Sequence, residues 1–297
     1  MNPASIKSTE TGFTLMEMLV TLVIASLLMM AVVSTFSMLS RIAVDNKLKV
    51  VAQLEAQSAL EMMTPEIRMI GNGVPFHQAN FLIGQENLAD NTVTQPILVS
   101  GTTSSQIRFR LNETGETYIL TAAFNPAAST TIALTSTGKI FSGDQIYITN
   151  ATVGDDDGLW ATVSAVNDEA HTVTISAGAQ YSPGATFAMG SLLEVVPIVT
   201  YTSHASFGGI SRDNGTGALT LVPDGQFSLE YLNSDGDPIA LPLAAVPDDP
   251  FPANSIQNVH AIRMTVQVRT GRAMSNGLYY TASSTQSVGI RNLNFKY

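Results

Sequence analysis

From Phe13 to Leu39 the chain is apolar almost without interruption, and Glu17 is the one ionisable side chain among those 27 positions. At ~1.5 Å rise per residue such a run makes a helix of about 40 Å, longer than the ~30 Å hydrocarbon core of a bilayer. Neither Gly nor Pro occurs from Phe13 through Thr64, so a single helix is predicted to continue well beyond the run. After Leu39 the pattern changes: Arg41, Asp45, Lys47, Lys49, Gln53 and Glu55 intersperse with apolar residues at spacings of mostly three or four. That is the period of an amphipathic helix packing on a soluble domain. Leu48, Val51, Leu54, Met62 and Met63 are the expected core-facing stripe. Thr64 followed by Pro65 reads as the cap and first position of a last turn, and Gly71, Gly73 and Pro75 close the helical region.

From about Phe81 the period shortens to two. Gln106–Leu111, Thr117–Ala122, Thr131–Leu134, Gln145–Asn150, Trp160–Val166 and Thr172–Ser176 alternate or are rich in β-branched residues, with Gly, Asn, Asp and Pro between them. These are predicted strands. The stretch 123–196 reads as a compact meander or small barrel inserted into a larger β-rich head. Further strands are predicted at Val199–Thr202, Leu219–Val222, Phe227–Leu232, Val259–Arg269 and a closing Ser287–Lys296. The fold class is therefore α+β: a long N-terminal membrane-spanning helix packed on a β-rich globular head.

A carboxylate inside an apolar run is costly in a bilayer and is by default a functional group awaiting a partner. The bland reading, a secretory signal, fits poorly. The leader before the run balances Lys7 against Glu10, the apolar stretch exceeds the usual 7–15 residues, and no small-x-small cleavage site follows it. Cations on both sides of the run, Lys7 before and Arg41, Lys47 and Lys49 after, leave its orientation open. The segment Gly12-Phe13-Thr14-Leu15-Met16-Glu17-Met18-Leu19-Val20 closely resembles the processing site of type IV prepilins and type II secretion pseudopilins. The resemblance implies a cytoplasmic leader, residues 1–12, removed after Gly12 by a prepilin peptidase that also methylates the new terminus, Phe13. It implies that Glu17, the fifth residue of the processed chain, pairs with the terminal amine of a neighbouring subunit. Burying two such charges together in lipid would give register to otherwise featureless helices.

Composition narrows the kind of subunit. Only 13% of the 297 residues are charged, against a usual ~25%, and the formal net charge is −10. That balance argues against nucleic acid, which demands clustered Lys and Arg. There is no cysteine, so the disulfide-bounded loop common in major pilins is absent, and no proline interrupts the membrane half as it usually does in shaft-building pilins. The stretch Leu60–Gly71 and the motifs Ile262–Arg269 and Gly289–Leu293 resemble parts of PilW-type minor pilins and J-type pseudopilins.

Catalytic chemistry finds little support. The histidines are His77, His171, His204 and His260, and there is no Gly-x-Ser-x-Gly, P-loop or His-Glu-x-x-His. No enzyme activity and no cofactor are expected. Asp155, Asp156 and Asp157, and the run Asn233–Asp237, carry oxygen ligands of the kind Ca²⁺ takes. Neither has EF-hand spacing, and hairpin turns are the simpler account. If a metal were held, the Asp155 cluster has the denser charge.

The expected organisation is a leader at 1–12, a transmembrane half-helix at 13–39, an amphipathic half-helix at 40–72 and a periplasmic head at 73–297. The expected role is that of a minor pilin in initiation of a type IV pilus, in a tip or priming complex. Alternatives are a J-type pseudopilin of a type II secretion system and an adhesin module displayed on the pilus. The implied partners are the prepilin peptidase, other minor pilins and the major pilin, the inner-membrane assembly platform, and the bilayer before assembly.

Overall fold

The computed structural model describes residues 14–72, 96–149, 158–179, 185–244 and 253–290. Helix α1 spans Leu15–Arg68 without a break, as the long Gly- and Pro-free stretch requires. Pro65 is accommodated inside the last turn, and the helix does not restart at Thr64. Thr64 instead turns its hydroxyl to the head, where it donates to Gln286 Oε1 at 3.0 Å. Beyond the cap residue Met69, the chain reverses through Gly71 at φ 79°. The Gly71 amide donates to the Arg110 carbonyl at 3.0 Å, tying the helix end to the sheet.

The buried stripe of α1 differs from the one expected. Ala52, Ala56, Ala59, Leu60, Met63 and Ile67 face the head, whereas Val51, Leu54 and Met62 are exposed and Leu48 is half-buried. Of the expected stripe only Met63 is fully buried. The spacing was right and the face was wrong, because three alanines carry little hydrophobic signal yet let backbone approach backbone. The helix rests on the sheet formed by β12 (Ala261–Arg269) and β13 (Thr281–Gly289), flanked by β11 (Gly225–Leu232). Along β12, Ile262, Met264, Val266 and Val268 are fully buried while their neighbours are half-exposed, the period-two pattern of a strand covered on one face. The closing strand begins earlier than expected, at Thr281, and residues 291–297 lie outside the described part.

A second antiparallel sheet has the order β1–β8–β9–β10, with β1 at Gln106–Arg110, β8 at Ile198–Ser203, β9 at Ile210–Asp213 and β10 at Leu219–Val222. The two sheets and the helix share one apolar core that includes Phe109, Tyr201, Tyr231, Val266 and Ile67. In that sheet β1 and β8 pair from Gln106↔Thr202 to Arg110↔Ile198. The chain between Arg110 and Ile198 therefore leaves and returns at one end of a hairpin.

That excursion forms a barrel. Its strands are β2 (Thr117–Ile119), β3 (Thr131–Ala133), β4 (Gln145–Thr149), β5 (Leu159–Asn167), β6 (Thr172–Ile175) and β7 (Leu192–Val195). They lie in the order β2–β7–β4–β5–β6–β3. A bridge between Leu120 and Leu134 joins the two outer strands. There the Thr121 amide donates to Ala133 at 3.0 Å and the Thr135 amide to Ile119 at 2.9 Å, so the sheet closes on itself. Only β4, β5 and β6 run as a simple meander. The interior is a separate apolar cluster including Ile132, Ile146, Leu159, Val173, Phe187 and Leu193.

Arg110 and Trp160 fasten barrel to sheet. The Arg110 guanidinium lies 4.4 Å from the Trp160 ring centroid and donates to Gln145 Oε1 at 2.6 Å. Tyr147 packs on Trp160 at 4.6 Å between centroids. Gly158 leaves room for this cluster, since a Cβ there would sit 1.8 Å from the Tyr147 hydroxyl.

Candidate functional site

The first turn of α1 carries the chemistry singled out in the sequence. Thr14 is the N-cap, in extended conformation at φ −75° and ψ 153°. Its hydroxyl accepts from the Glu17 amide at 3.3 Å. The Glu17 carboxylate in turn accepts from the Thr14 amide at 2.9 Å and from the Thr14 hydroxyl at 3.1 Å. This is a capping box, two orphan amides of the helix start satisfied reciprocally. The signal Thr-x-x-Glu before an apolar run was present in the sequence, yet Thr14 was not among the expected site residues. Among the described residues, then, Glu17 has local donors but no cation. Its side chain is exposed, as is every residue from Thr14 to Val44.

A helix apolar on all sides and covered by nothing needs lipid or other helices around it. Here α1 is long and apolar enough to cross a membrane, with a mean hydropathy of 2.4 over its most apolar window. Three hydroxyls along it are satisfied internally. Thr21, Ser26 and Thr35 donate to the carbonyls of Met18, Val23 and Ala31 at 2.9, 2.8 and 2.9 Å, which suits a medium that offers no partners. Gly12 and Phe13, the expected processing pair, lie outside the described residues.

With that geometry in place, one comparison is informative. Residues 7–33 match the family model described as the prokaryotic N-terminal methylation motif. The match supports a type IV pilin-like protein. Such motifs mark structural subunits, processed by a prepilin peptidase and assembled with other pilins. No curated protein and no solved structure matches the chain. The matched stretch ends at Val33, and the head is described by its own geometry.

Among the described residues of the head, a concentrated polar cluster lies where the helix meets the second sheet. Arg212 on β9 donates through Nε to both carboxylate oxygens of Glu66, at 3.1 and 3.0 Å, and pairs through Nη2 with Glu113. The Tyr201 hydroxyl donates to Glu66 at 2.8 Å. Burial first, and then the Glu66 charge, pushes the Tyr201 phenol well above its ordinary range. Desolvation works against the Arg212 charge, but Glu66 and Glu113 outweigh it and hold the guanidinium protonated. One guanidinium thus ties together a carboxylate from the helix and one from the chain after β1, so the cluster reads as a strut between helix and sheet. Sequence reading missed it because its members lie as much as 146 positions apart.

Among the described residues no group of three or more His, Asp or Glu side chains is placed to hold a metal. In the run Asn233–Asp237, Asn233 Oδ1 accepts from the amides of Asp235 at 3.0 Å and Asp237 at 2.8 Å, as expected of turn chemistry. Asp155, Asp156 and Asp157 lie outside the described residues. His204 Nε2 stands 3.2 Å from Ser211 Oγ, but among the described residues no carboxylate bonds that histidine to orient it as a base would need.

Proposed function

We propose that this chain is a minor pilin of the PilW type, a low-copy subunit that helps initiate type IV pilus assembly in a tip or priming complex. The observation that carries the reading is the methylation motif coinciding with an exposed first helical turn in which Glu17 presents a carboxylate. On this reading Phe13 becomes the methylated terminus after cleavage at Gly12. Glu17 exchanges part of its cap for the amine of a neighbouring subunit, where an ion pair in low dielectric gains most. The head, on the periplasmic side, carries a barrel beyond its core sheets. That bulk suits an end of a fibre better than its closely packed shaft. The working partners are the other minor pilins, the major pilin and the inner-membrane assembly platform.

Mass spectrometry of the first peptide of the mature protein tests the processing step. N-methylated Phe13 is the expected result, and a mature protein still beginning at Met1 would overturn it. Gene deletion separates the pilus from its rival: loss of pili is expected, whereas loss of type II secretion with pili intact would instead make this a J-type pseudopilin. A second reading, favoured by the barrel's own core, gives the barrel an adhesin role on the assembled pilus.

A further inference from the structure

The loop 270–280 between β12 and β13 returns to the helix near the point where the apolar run ends. Strand β13 travels along α1 in the direction of the helix. Ser275 meets Asp45, Tyr280 meets Gln53 at 3.4 Å, and Gln286 meets Thr64 at 3.0 Å. Of these three contacts the loop's is the one closest to the apolar run. Asp45 lies six positions past Leu39, or about 9 Å along the axis. The headgroup layer of one leaflet is roughly 5–8 Å thick. Arg41, two positions or about 3 Å past Leu39, therefore falls within that layer, and the loop at Asp45 stands at its outer edge, once the run is in a bilayer.

Its chemistry suits that height. Arg41 from the helix and Arg272 from the loop, both exposed, line one open cleft of about 400 Å³ with Val44 and Met274. The one carboxylate lining the cleft, Asp45, is already occupied by the Ser275 amide at 2.9 Å and by its hydroxyl. Leu278 and Tyr279 are 65% and 51% exposed at the same loop. The Arg269 guanidinium lies 4.7 Å from the Tyr279 ring centroid and props that ring. Lys47 and Lys49 add charge on the adjoining turn, in a chain whose formal net charge is −10. A positive collar with an aromatic and an aliphatic tip is the make-up of a membrane interface.

We infer that this loop and Arg41 form a clamp for anionic lipid headgroups. A phosphodiester seats between Arg41 and Arg272, while Leu278 and Tyr279 enter the interfacial layer, so that the head is held at a set angle to the bilayer before assembly. The inference rests on the apolar run being a membrane anchor. A neighbouring subunit's apolar helix would bring nothing for two arginines.

The absence of cysteine makes the test clean. Full-length protein carrying Leu278→Cys, labelled with an environment-sensitive fluorophore, is reconstituted into vesicles of phosphatidylcholine alone or mixed with phosphatidylglycerol. Headgroup spin-labelled lipid serves as quencher. Quenching is expected to rise several-fold with phosphatidylglycerol, to fall at high salt, and to return to the phosphatidylcholine level in Arg272→Glu and in Arg41→Glu. A second label at Val23→Cys reports the anchor, and one at Ser129→Cys on the barrel reports a water-exposed surface. Quenching at Leu278 equal in both vesicles overturns headgroup recognition. A water-like Leu278 label beside a lipid-like Val23 label overturns the clamp and leaves the anchor standing. A water-like Val23 label removes the anchor and the clamp together.

Discussion

Glu17 holds two roles that a pair of variants separates. As a cap residue it is one half of the capping box, which Thr14→Ala should undo as fully as Glu17→Ala. As an assembly residue only its own charge matters. Glu17→Ala and Glu17→Gln are therefore expected to abolish incorporation into fibres while Thr14→Ala assembles, as measured by the subunit content of sheared fibres. Equal loss in Thr14→Ala would reduce Glu17 to a cap. The glutamate was legible because a lone charge in an apolar run is conspicuous, whereas its threonine partner is an ordinary polar residue at a boundary. Glu194 on β7 makes a second residue-scale case. Burial raises its carboxyl above the ordinary range, only partly opposed by hydrogen bonds from Thr117 and Asn112, and Oε2 is buried without a partner among the described residues. An acid whose folded pKa is raised costs stability above that pKa and recovers it as pH falls toward the unfolded value. Glu194→Gln should thus raise the melting temperature at pH 7 by about 2 °C, with the burial discounted for its partial exposure. The gain should vanish in melts near pH 4, the unfolded carboxyl range.

At the scale of elements, α1 was readable from end to end because length and the lack of helix breakers need no tertiary information. Its packing face was not, since alanine and methionine say little about direction. The strands most rich in Ile, Val and Tyr were equally plain. Strand β13 was missed over most of its length because its sequence, Thr-Ala-Ser-Ser-Thr-Gln-Ser-Val-Gly, is polar and only Ala282 and Val288 are buried. Whether the insertion is a meander or a closed barrel was left open, because closure depends on one short bridge, between Leu120 and Leu134. The β12–β13 loop yields a pH prediction. Hydrogen bonds from the Ser275 hydroxyl and then its amide hold the Asp45 carboxyl below its ordinary value of 3.8. A depressed acid stabilises above its unfolded pKa and loses that contribution as pH falls through the folded one. Amide exchange in 271–279, corrected for its intrinsic pH dependence, should stay level down to about pH 4 and accelerate below it. Acceleration between pH 7 and 5 would mean another group docks the loop.

For the whole molecule, pairing of Arg110 with Ile198 predicts that the barrel is dispensable to the core. Replacing residues 112–196 with a short Gly-Asn-Gly connector should leave amide protection in α1 and β12 within a few-fold of the full chain. Loss of protection throughout would show the two cores to be one cooperative unit. On the proposed reading the shortened chain is still processed and assembled, and any binding shown by the tip is lost. The pilin-like identity was legible at the amino terminus alone. The head's sheets could be recognised piece by piece, but their arrangement depends on pairings such as β1 with β8 that skip nearly 90 positions.

The barrel's two connections have a mechanical consequence. On the proposed reading, tension applied to α1 during extrusion or retraction passes through its alanine face into β12 and β13, and through Glu66 and Arg212 into the second sheet. Because the barrel joins that sheet at a single hairpin end, fastened there by Arg110 and Trp160, it lies beside this line of force as a side branch. Stretching the anchor shears helix against sheet, and the barrel surface keeps its shape while the subunit beneath it is pulled.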